Sequence, residues 1–279
     1  MKYLSSLFVI LIVVLASCSK DDDPTLPETQ YKISFIHSDE TSQTFDYDSE
    51  GNLKKWQYLE TQSSQIIADA TYIYDTEVNS VKIDAEESHG DQMWKFEEIL
   101  YLNIDGTAKS AEGIAELYQV EDKSLLMRKR YSAAFNYNVT RQLESIRIVE
   151  KRIIENGDDP YPLKWNIDFV WSNGNLIESK EYSNPTSPLK AREYSYYDGV
   201  GADYAPIVQY PFLRAYYTPL RYQGYFGVQT KGLVKKCTVD NTTTDYSYNL
   251  STNSTNSIVE GYLEKLPSGR EIQYTIGWE

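Results

Sequence analysis

Apolar and polar positions alternate along most of this chain. In Trp165-x-Ile167-x-Phe169-x-Trp171 and Ile272-x-Tyr274-x-Ile276-x-Trp278, an extended backbone puts the apolar side chains on one side and the polar ones on the other. Ile146-x-Ile148 repeats the pattern between charged neighbours. Roughly fourteen to sixteen such segments can be read between Tyr31-Lys32-Ile33-Ser34-Phe35 and Trp278, with turn chemistry between most of them. Parallel strands would need interleaved helices, which the pattern lacks, whereas an antiparallel sheet tolerates water on one face. The expected fold is therefore all-β, a large antiparallel meander of hairpins. So many strands must close into a barrel or curve strongly, because a wide open sheet exposes edges.

One stretch recurs within the alternation. In residues 45–56, Phe45 and Tyr47 alternate with Asp46 and Asp48, Ser49-Glu50-Gly51-Asn52 supplies a turn, and Trp56 and Tyr58 resume the alternation. The same order of aromatic, spacer, aromatic, polar turn and leucine returns in Phe135-Asn136-Tyr137 to Leu143 and in Phe169-Val170-Trp171 to Leu176. Tyr72-Ile73-Tyr74, Tyr194-Ser195-Tyr196 and Tyr246-Ser247-Tyr248 are weaker echoes. The stretch reads as a repeated hairpin tip. A calcium-loop alternative would use Asp46, Asp48 and Glu50, with Gly51 at the sharp turn. It lacks the closing glutamate, since Gln57 stands there, and no helical pattern flanks it.

Residues 205–227 break the alternation. Pro206, Pro211 and Pro219 exclude a central strand, so this stretch is expected to form a short helical or irregular aromatic segment. Tyr210, Tyr216, Tyr217, Tyr222 and Tyr225 interleave there with Arg214 and Arg221. On a surface loop such rings stack on sugar faces while arginines bond hydroxyls or carboxylates. The competing reading is that the rings plug the barrel. These seven residues are the candidate ligand-binding set, and their exposure decides between the two.

The amino terminus supplies an address. An apolar run from Leu7 to Ala16 follows Lys2 and ends in Leu15-Ala16-Ser17-Cys18. The run is too short and wrongly flanked to span a membrane, and reads as a secretion signal. Its end resembles the bacterial lipoprotein box, in which the cysteine is acylated. This gives a signal peptide over 1–17, a lipidated acidic tether over 18–30 and one β domain over 31–279. The tether, Ser19-Lys20-Asp21-Asp22-Asp23-Pro24, resembles the acidic signal that carries Bacteroidota lipoproteins to the outer face of the outer membrane. The expected location is the cell surface, with the periplasmic face as the alternative.

The formal net charge is −14, and it grows more negative when Lys2 leaves with the signal, which disfavours nucleic acid and anionic surfaces as partners. A lipidated Cys18 leaves Cys237 without a disulfide partner, in a strand-like stretch suited to an inert buried thiol. His37 and His89 are the only histidines, and neither sits in a motif for a triad or a metal site. No cofactor is expected. Glu97 and Glu98 adjoin on one strand and so face opposite ways, while Asp158-Asp159 reads as a hairpin loop.

Taken together, the lipoprotein box with its tether, Trp171-Ser172-Asn173-Gly174-Asn175-Leu176, the stretch from Lys231 to Thr238, Tyr246-Ser247-Tyr248 and Ile272-Gln273-Tyr274-Thr275-Ile276 resemble a group of Bacteroidota lipoproteins of unknown function with a porin-like β fold. The resemblance implies an address and a barrel, and no mechanism. Residues 45–53 also resemble a single tyrosine-aspartate repeat of bacterial shell-forming toxins. The leading expectation is a noncatalytic surface lipoprotein that captures a ligand, such as a glycan, beside an outer-membrane protein partner. A structural or adhesive protein that binds a protein partner is the alternative, and a carboxylate-dependent hydrolase is a third.

Overall fold

The computed structural model describes residues 32–154, 157–183, 189–201, 214–230, 232–252 and 257–279. Among the described residues the alternation becomes seventeen strands, all paired antiparallel. They are β1 (Ile33–His37), β2 (Thr41–Tyr47), β3 (Leu53–Glu60), β4 (Ile66–Asp75), β5 (Ser80–His89) and β6 (Gln92–Leu102). Next come β7 (Ala108–Gln119), β8 (Leu125–Tyr137), β9 (Leu143–Ile154), β10 (Gly157–Asp158), β11 (Leu163–Ser172) and β12 (Asn175–Tyr182). The last are β13 (Lys190–Gly201), β14 (Gly232–Val239), β15 (Thr242–Thr252), β16 (Ser257–Lys265) and β17 (Glu271–Trp278). The two-residue β10 is a spur on β9 alone. Each of the other sixteen pairs with its neighbour in the chain, β9 with β11, and β1 with both β2 and β17. The sheet is thus a closed up-and-down barrel, and none of these sixteen strands keeps a free edge.

The two faces of the barrel differ sharply. Inward positions carry the core: Trp56, Ile83, Leu100, Ile146 and Ile167 are buried. Outward positions carry charge arranged in cross-strand and same-strand pairs, among them Lys95–Glu86 at 2.5 Å, Arg128–Glu116 at 2.9 Å and Lys236–Asp245 at 3.2 Å. A membrane-spanning barrel needs the reverse, an apolar outer band about 25 Å tall. Here the apolar face packs inward and the charged face meets water. Among the described residues no helix is long and apolar enough to cross a membrane.

The repeated hairpin has a structural counterpart. In six hairpins the register slips by one residue at the same place, just after the turn. Tyr47 faces Leu53, Leu102 faces Ala108, Tyr137 faces Leu143, Trp171 faces Leu176, Tyr196 faces Val234 and Leu250 faces Val259. The extra residues, Lys54, Lys109, Glu144, Ile177, Lys235 and Glu260, are all exposed. Each is a β-bulge, which bends a strand and increases its twist, as closure of a barrel demands.

Around this end, an aromatic side chain reaches back to the carbonyl of the buried residue that opens the preceding hairpin's return strand. Trp171 Nε1 donates to Leu143 O at 2.8 Å, Tyr196 Oη to Leu176 O, Tyr248 Oη to Val234 O at 2.6 Å and Trp278 Nε1 to Val259 O at 2.9 Å. Tyr47 Oη donates to Ile33 O at 2.9 Å in the same sense. Aromatics recur before the turns because each one closes the barrel end and stitches neighbouring hairpins together.

The turn at residues 48–52 belongs to this set. Asp48 N–H donates to Asn52 O at 2.9 Å, Gly51 N–H donates to Asp48 O at 3.0 Å, and Gly51 adopts φ +87°. The Asp48 carboxylate accepts from the N–H groups of Glu50 and Asn52, both at 2.9 Å. These bonds, led by that from Asn52, hold its carboxyl below the usual aspartate range. Asp46 points outward on β2. The stretch is a hairpin turn capped by the Asp48 carboxylate. Among the described residues, no group of three His, Cys, Asp or Glu side chains could hold a metal ion.

Candidate functional site

Residues 214–230, between β13 and β14, lie inside the barrel. A 3-10 turn (Ala215–Tyr217) runs directly into α1 (Thr218–Tyr222). Pro219 lies in the first turn of α1, where its missing N–H costs nothing, so the proline starts the helix rather than ending it. Tyr216, Leu220 and Phe226 have no exposed surface. The rings pack edge to face and tilted against one another and against the barrel wall, with Phe96–Tyr216 and Phe135–Phe226 both at 5.3 Å between centroids.

The plug lies against one arc of the barrel, where it takes the place of the hairpin tethers. Tyr74 Oη bonds Gln223 Oε1 at 3.4 Å, Tyr137 Oη donates to Tyr225 O at 3.5 Å, and Ala108 N–H donates to Tyr225 O at 2.6 Å. Tyr72 Oη donates to Tyr216 O at 2.7 Å. Gly227, at φ +82°, passes so close to the Arg141 carbonyl that a Cβ would lie 2.2 Å from it. Only glycine lets the chain leave the barrel there.

A buried carboxyl anchors the plug. Glu98 is 1% exposed, and its oxygens accept hydrogen bonds from Tyr131, Tyr216 and Tyr217. Burial raises its pKa above the ordinary glutamate value, while the phenol donors and the nearby Arg214 pull the other way. Gly113 stands opposite Glu98 on β7, and a Cβ there would lie 2.9 Å from Tyr131 Oη. Its missing side chain clears the path from Tyr131 to Glu98.

Because the plug occupies one arc, space remains on the other side. A cleft of about 250 Å³ lies between the plug and β8, β9 and β11. Its walls include Ala133, Phe135, Ile146, Ile148 and Ile167, and its polar groups belong to Tyr131, Glu150, Trp165, Arg214 and Tyr217. The Arg214 guanidinium lies over two rings, 4.4 Å from the centroid of Phe96 and 4.3 Å from that of Tyr131. Glu150 is 3.5 Å from Arg214 and 3.3 Å from Lys129. Trp165 Nε1 is buried without a hydrogen-bond partner among the described residues.

Two solved structures share this architecture. A porin-like protein from Bacteroides uniformis matches with a TM-score of 0.53 and 17% identity, over 88% of this chain and 96% of that one. A porin-like protein from Bacteroides vulgatus matches with a TM-score of 0.53 and 11% identity, over 88% of this chain and 98% of that one. The fold is porin-like. No protein-family model matches the chain, and no curated protein matches it.

The candidate residues from the sequence divide accordingly. Tyr216 and Tyr217 are core residues, and so unable to serve as surface stacking rings, because their hydroxyls find acceptors inside the barrel. Tyr222 and Tyr225 are half-buried against Phe45 and Tyr74, and Arg221 is buried beside Tyr222. Of the set, Arg214 and Tyr217 line the cleft. Cys18 and Tyr210 lie outside the described residues. Cys237 is half-buried on β14 opposite Tyr194, and burial raises its pKa. Glu97 is exposed and Glu98 buried, on opposite faces as the strand parity requires.

Glu98, Glu150 and Trp165 were not singled out in the sequence as site residues. A signal was present for the two acids: Phe96-x-Glu98-x-Leu100 and Ile146-x-Ile148-x-Glu150 each place a charge at an apolar parity position. Trp165 gave none, since its ring fits the inward pattern and only the missing partner of its N–H distinguishes it.

Proposed function

We propose that this protein is a noncatalytic, lipid-anchored binding protein of the outer membrane that holds a small, mainly apolar molecule inside a water-facing barrel. The cleft carries this reading: it is a concave, largely apolar space with a few convergent polar groups, at the kind of place where barrels hold ligands. A glycan chain stacked on the aromatic segment fits poorly, because Tyr216 and Tyr217 are core residues. Adhesion by strand addition has no described edge among the sixteen barrel strands to build on. For a hydrolase, the raised carboxyl of Glu98 is already occupied by three phenols and does not line the cleft. The leader ending at Cys18 and the porin-like proteins from Bacteroides support an outer-membrane address.

Titration of the mature chain with phenylnaphthylamine, a neutral apolar dye, tests the reading. Saturable one-site fluorescence enhancement is expected, and Ile148→Trp, which fills the cleft, should abolish it while circular dichroism stays unchanged. Equal binding by wild type and the filled variant would overturn the assignment. Cys18→Ala should move the protein from the membrane to the soluble fraction, and retention in the membrane would count against the lipid anchor.

A further inference from the structure

Three successive hairpins, β4–β5, β6–β7 and β8–β9, turn at the same end of the barrel, and each carries an aliphatic side chain in its turn. Val78 is 61% exposed, and Ile104 and Val139, at 105% and 101%, are the most exposed large apolar side chains among the described residues. Turn chemistry does not require them. The turns at 103–107 and 138–142 close with the same two backbone bonds as the turn at 48–52: Asn103 N–H to Thr107 O and Gly106 N–H to Asn103 O in one, Asn138 N–H to Gln142 O and Arg141 N–H to Asn138 O in the other. In the turn at 48–52 the matching position is Ser49. A β-branched aliphatic side chain fully in water gains nothing there, so its use lies in something outside the turn.

The three tips form one surface. Asn79 Nδ2 donates to Leu102 O at 3.2 Å and to Asn103 O at 2.9 Å, joining the first turn to the second. Arg141 donates to Asp105 O at 2.8 Å and pairs with the Asp105 carboxylate at 3.0 Å, joining the second to the third. Asp105 and Arg141 are the only charged residues in those two turns, so this clasp leaves the apices around Ile104 and Val139 without net charge. Side chains within the turns also satisfy backbone donors. Asp105 Oδ1 accepts from the Thr107 N–H, and Asn138 Oδ1 from those of Thr140 and Gln142, all at 3.0 Å. A neutral apex with its backbone groups bonded internally can leave water at little cost.

The chain enters the barrel at this same end. β1 starts at Ile33 and runs toward the opposite turn, while Lys32 lies beside Gly51 of the turn at 48–52 and exchanges backbone bonds with Glu279 at 2.9 and 2.8 Å. Residues 19–31 separate Lys32 from Cys18, at most about 45 Å of extended chain. An anchor on that length keeps the domain at the membrane without choosing which end faces it. We infer that the crown of Val78, Ile104 and Val139 makes that choice by entering the headgroup boundary of the bilayer that holds the anchor, so that the barrel stands on its bulged end. This rests on the lipid anchor of the reading above and adds the orientation. Three short aliphatic side chains are too little apolar surface to hold the protein on a bilayer unaided; the lipid supplies the affinity and the crown the contact. Glu77 beside Val78 and Glu50 on the neighbouring turn are exposed, so the surface suits zwitterionic rather than anionic headgroups. The opposite end also exposes Leu126 and Leu163, but on strands among Arg128, Arg130 and Lys164 and away from the tether.

Site-directed fluorescence tests the contact on the full chain, expressed with its leader and reconstituted through its lipid into phosphatidylcholine vesicles. In a Cys237→Ser background, a thiol-reactive dye is placed singly at Val78→Cys, Ile104→Cys or Val139→Cys, at Lys82→Cys on the barrel wall, or at Leu126→Cys at the far end. The parent without an introduced cysteine should take up no dye, because acylation occupies Cys18. Nitroxides high on the lipid acyl chains should quench the three tip positions at least about twofold more than Lys82→Cys or Leu126→Cys, since interfacial apolar side chains reach roughly 5–10 Å into that boundary. Ile104→Ser/Val139→Ser, which copies Ser49 of the sister turn, should remove most of the quenching at Val78→Cys while circular dichroism stays unchanged. Equal quenching at tips, wall and far end, strongest quenching at Leu126→Cys, or an unchanged Val78→Cys signal in the serine variant overturns the orientation and leaves the anchor standing. If the chain does not stay with the vesicles at all, the anchor fails and the inference falls with it.

Discussion

At the scale of single residues, the most consequential side chain is Glu98, a carboxyl kept inside the barrel by three phenol donors. Its folded pKa lies above the ordinary value near 4.5, first because of burial. The folded state therefore holds its proton more tightly than the unfolded chain does. This contribution to stability is fully present below the ordinary value and is lost as pH rises through the folded one. Glu98→Gln removes that titration, so its stability relative to wild type should climb as pH rises from about 4.5. Urea unfolding of both proteins across that range measures it, and a constant difference would show that Glu98 ionises in the fold as it does unfolded. Gly113 makes the second residue-level case. A Cβ at this position would sit 2.4 Å from the Glu97 carbonyl and crowd Tyr131, so Gly113→Ala should cost about 1–3 kcal/mol, the usual penalty of overpacking, and lower Tm.

At the scale of elements, the hairpin is the repeated unit, and its bulge bends the return strand. Deleting Lys54 or Glu144 would remove the bulge and leave the pairing on both sides of it in register, so the strand would lose its local bend and extra twist. Either deletion is expected to lower Tm while unfolding stays cooperative, whereas Lys54→Ala and Glu144→Ala should stay within about 0.5 kcal/mol of wild type, as surface substitutions do. The buried residues beside the bulges test the packing half of this argument. Leu143, with no exposed surface, should lose about 2–5 kcal/mol on substitution by alanine. Turn, aromatic pair and leucine were all readable in the sequence at Phe45 to Leu53, because they are local and periodic. The bulge was not, since an extra exposed Lys54 or Glu144 resembles any other polar position. Nor did the pattern show that Tyr74 and Tyr137 bond the plug instead of a neighbouring hairpin, because that choice depends on which arc the plug covers.

At the scale of the whole molecule, the barrel is porin-like in topology and inverted in polarity, with charge pairs outside and a packed, plugged interior. Residues 19–279 should therefore stay soluble without detergent, fail to float with phosphatidylcholine vesicles and add no conductance to a planar bilayer. Stable channels in that bilayer would contradict the polarity argument. The sequence by itself determined the strands, their antiparallel order, the repeated tips and the aromatic segment as the exceptional element, because side-chain alternation and turn residues act between near neighbours. Whether the rings of that segment met water or the core, where Glu98 found its phenols, and the cleft at Trp165 and Arg214 were decided only by the tertiary structure. Closure of the barrel brings together residues from β6, β8, β9, β11 and the plug, which lie far apart in the chain, and no local pattern records a meeting of that kind.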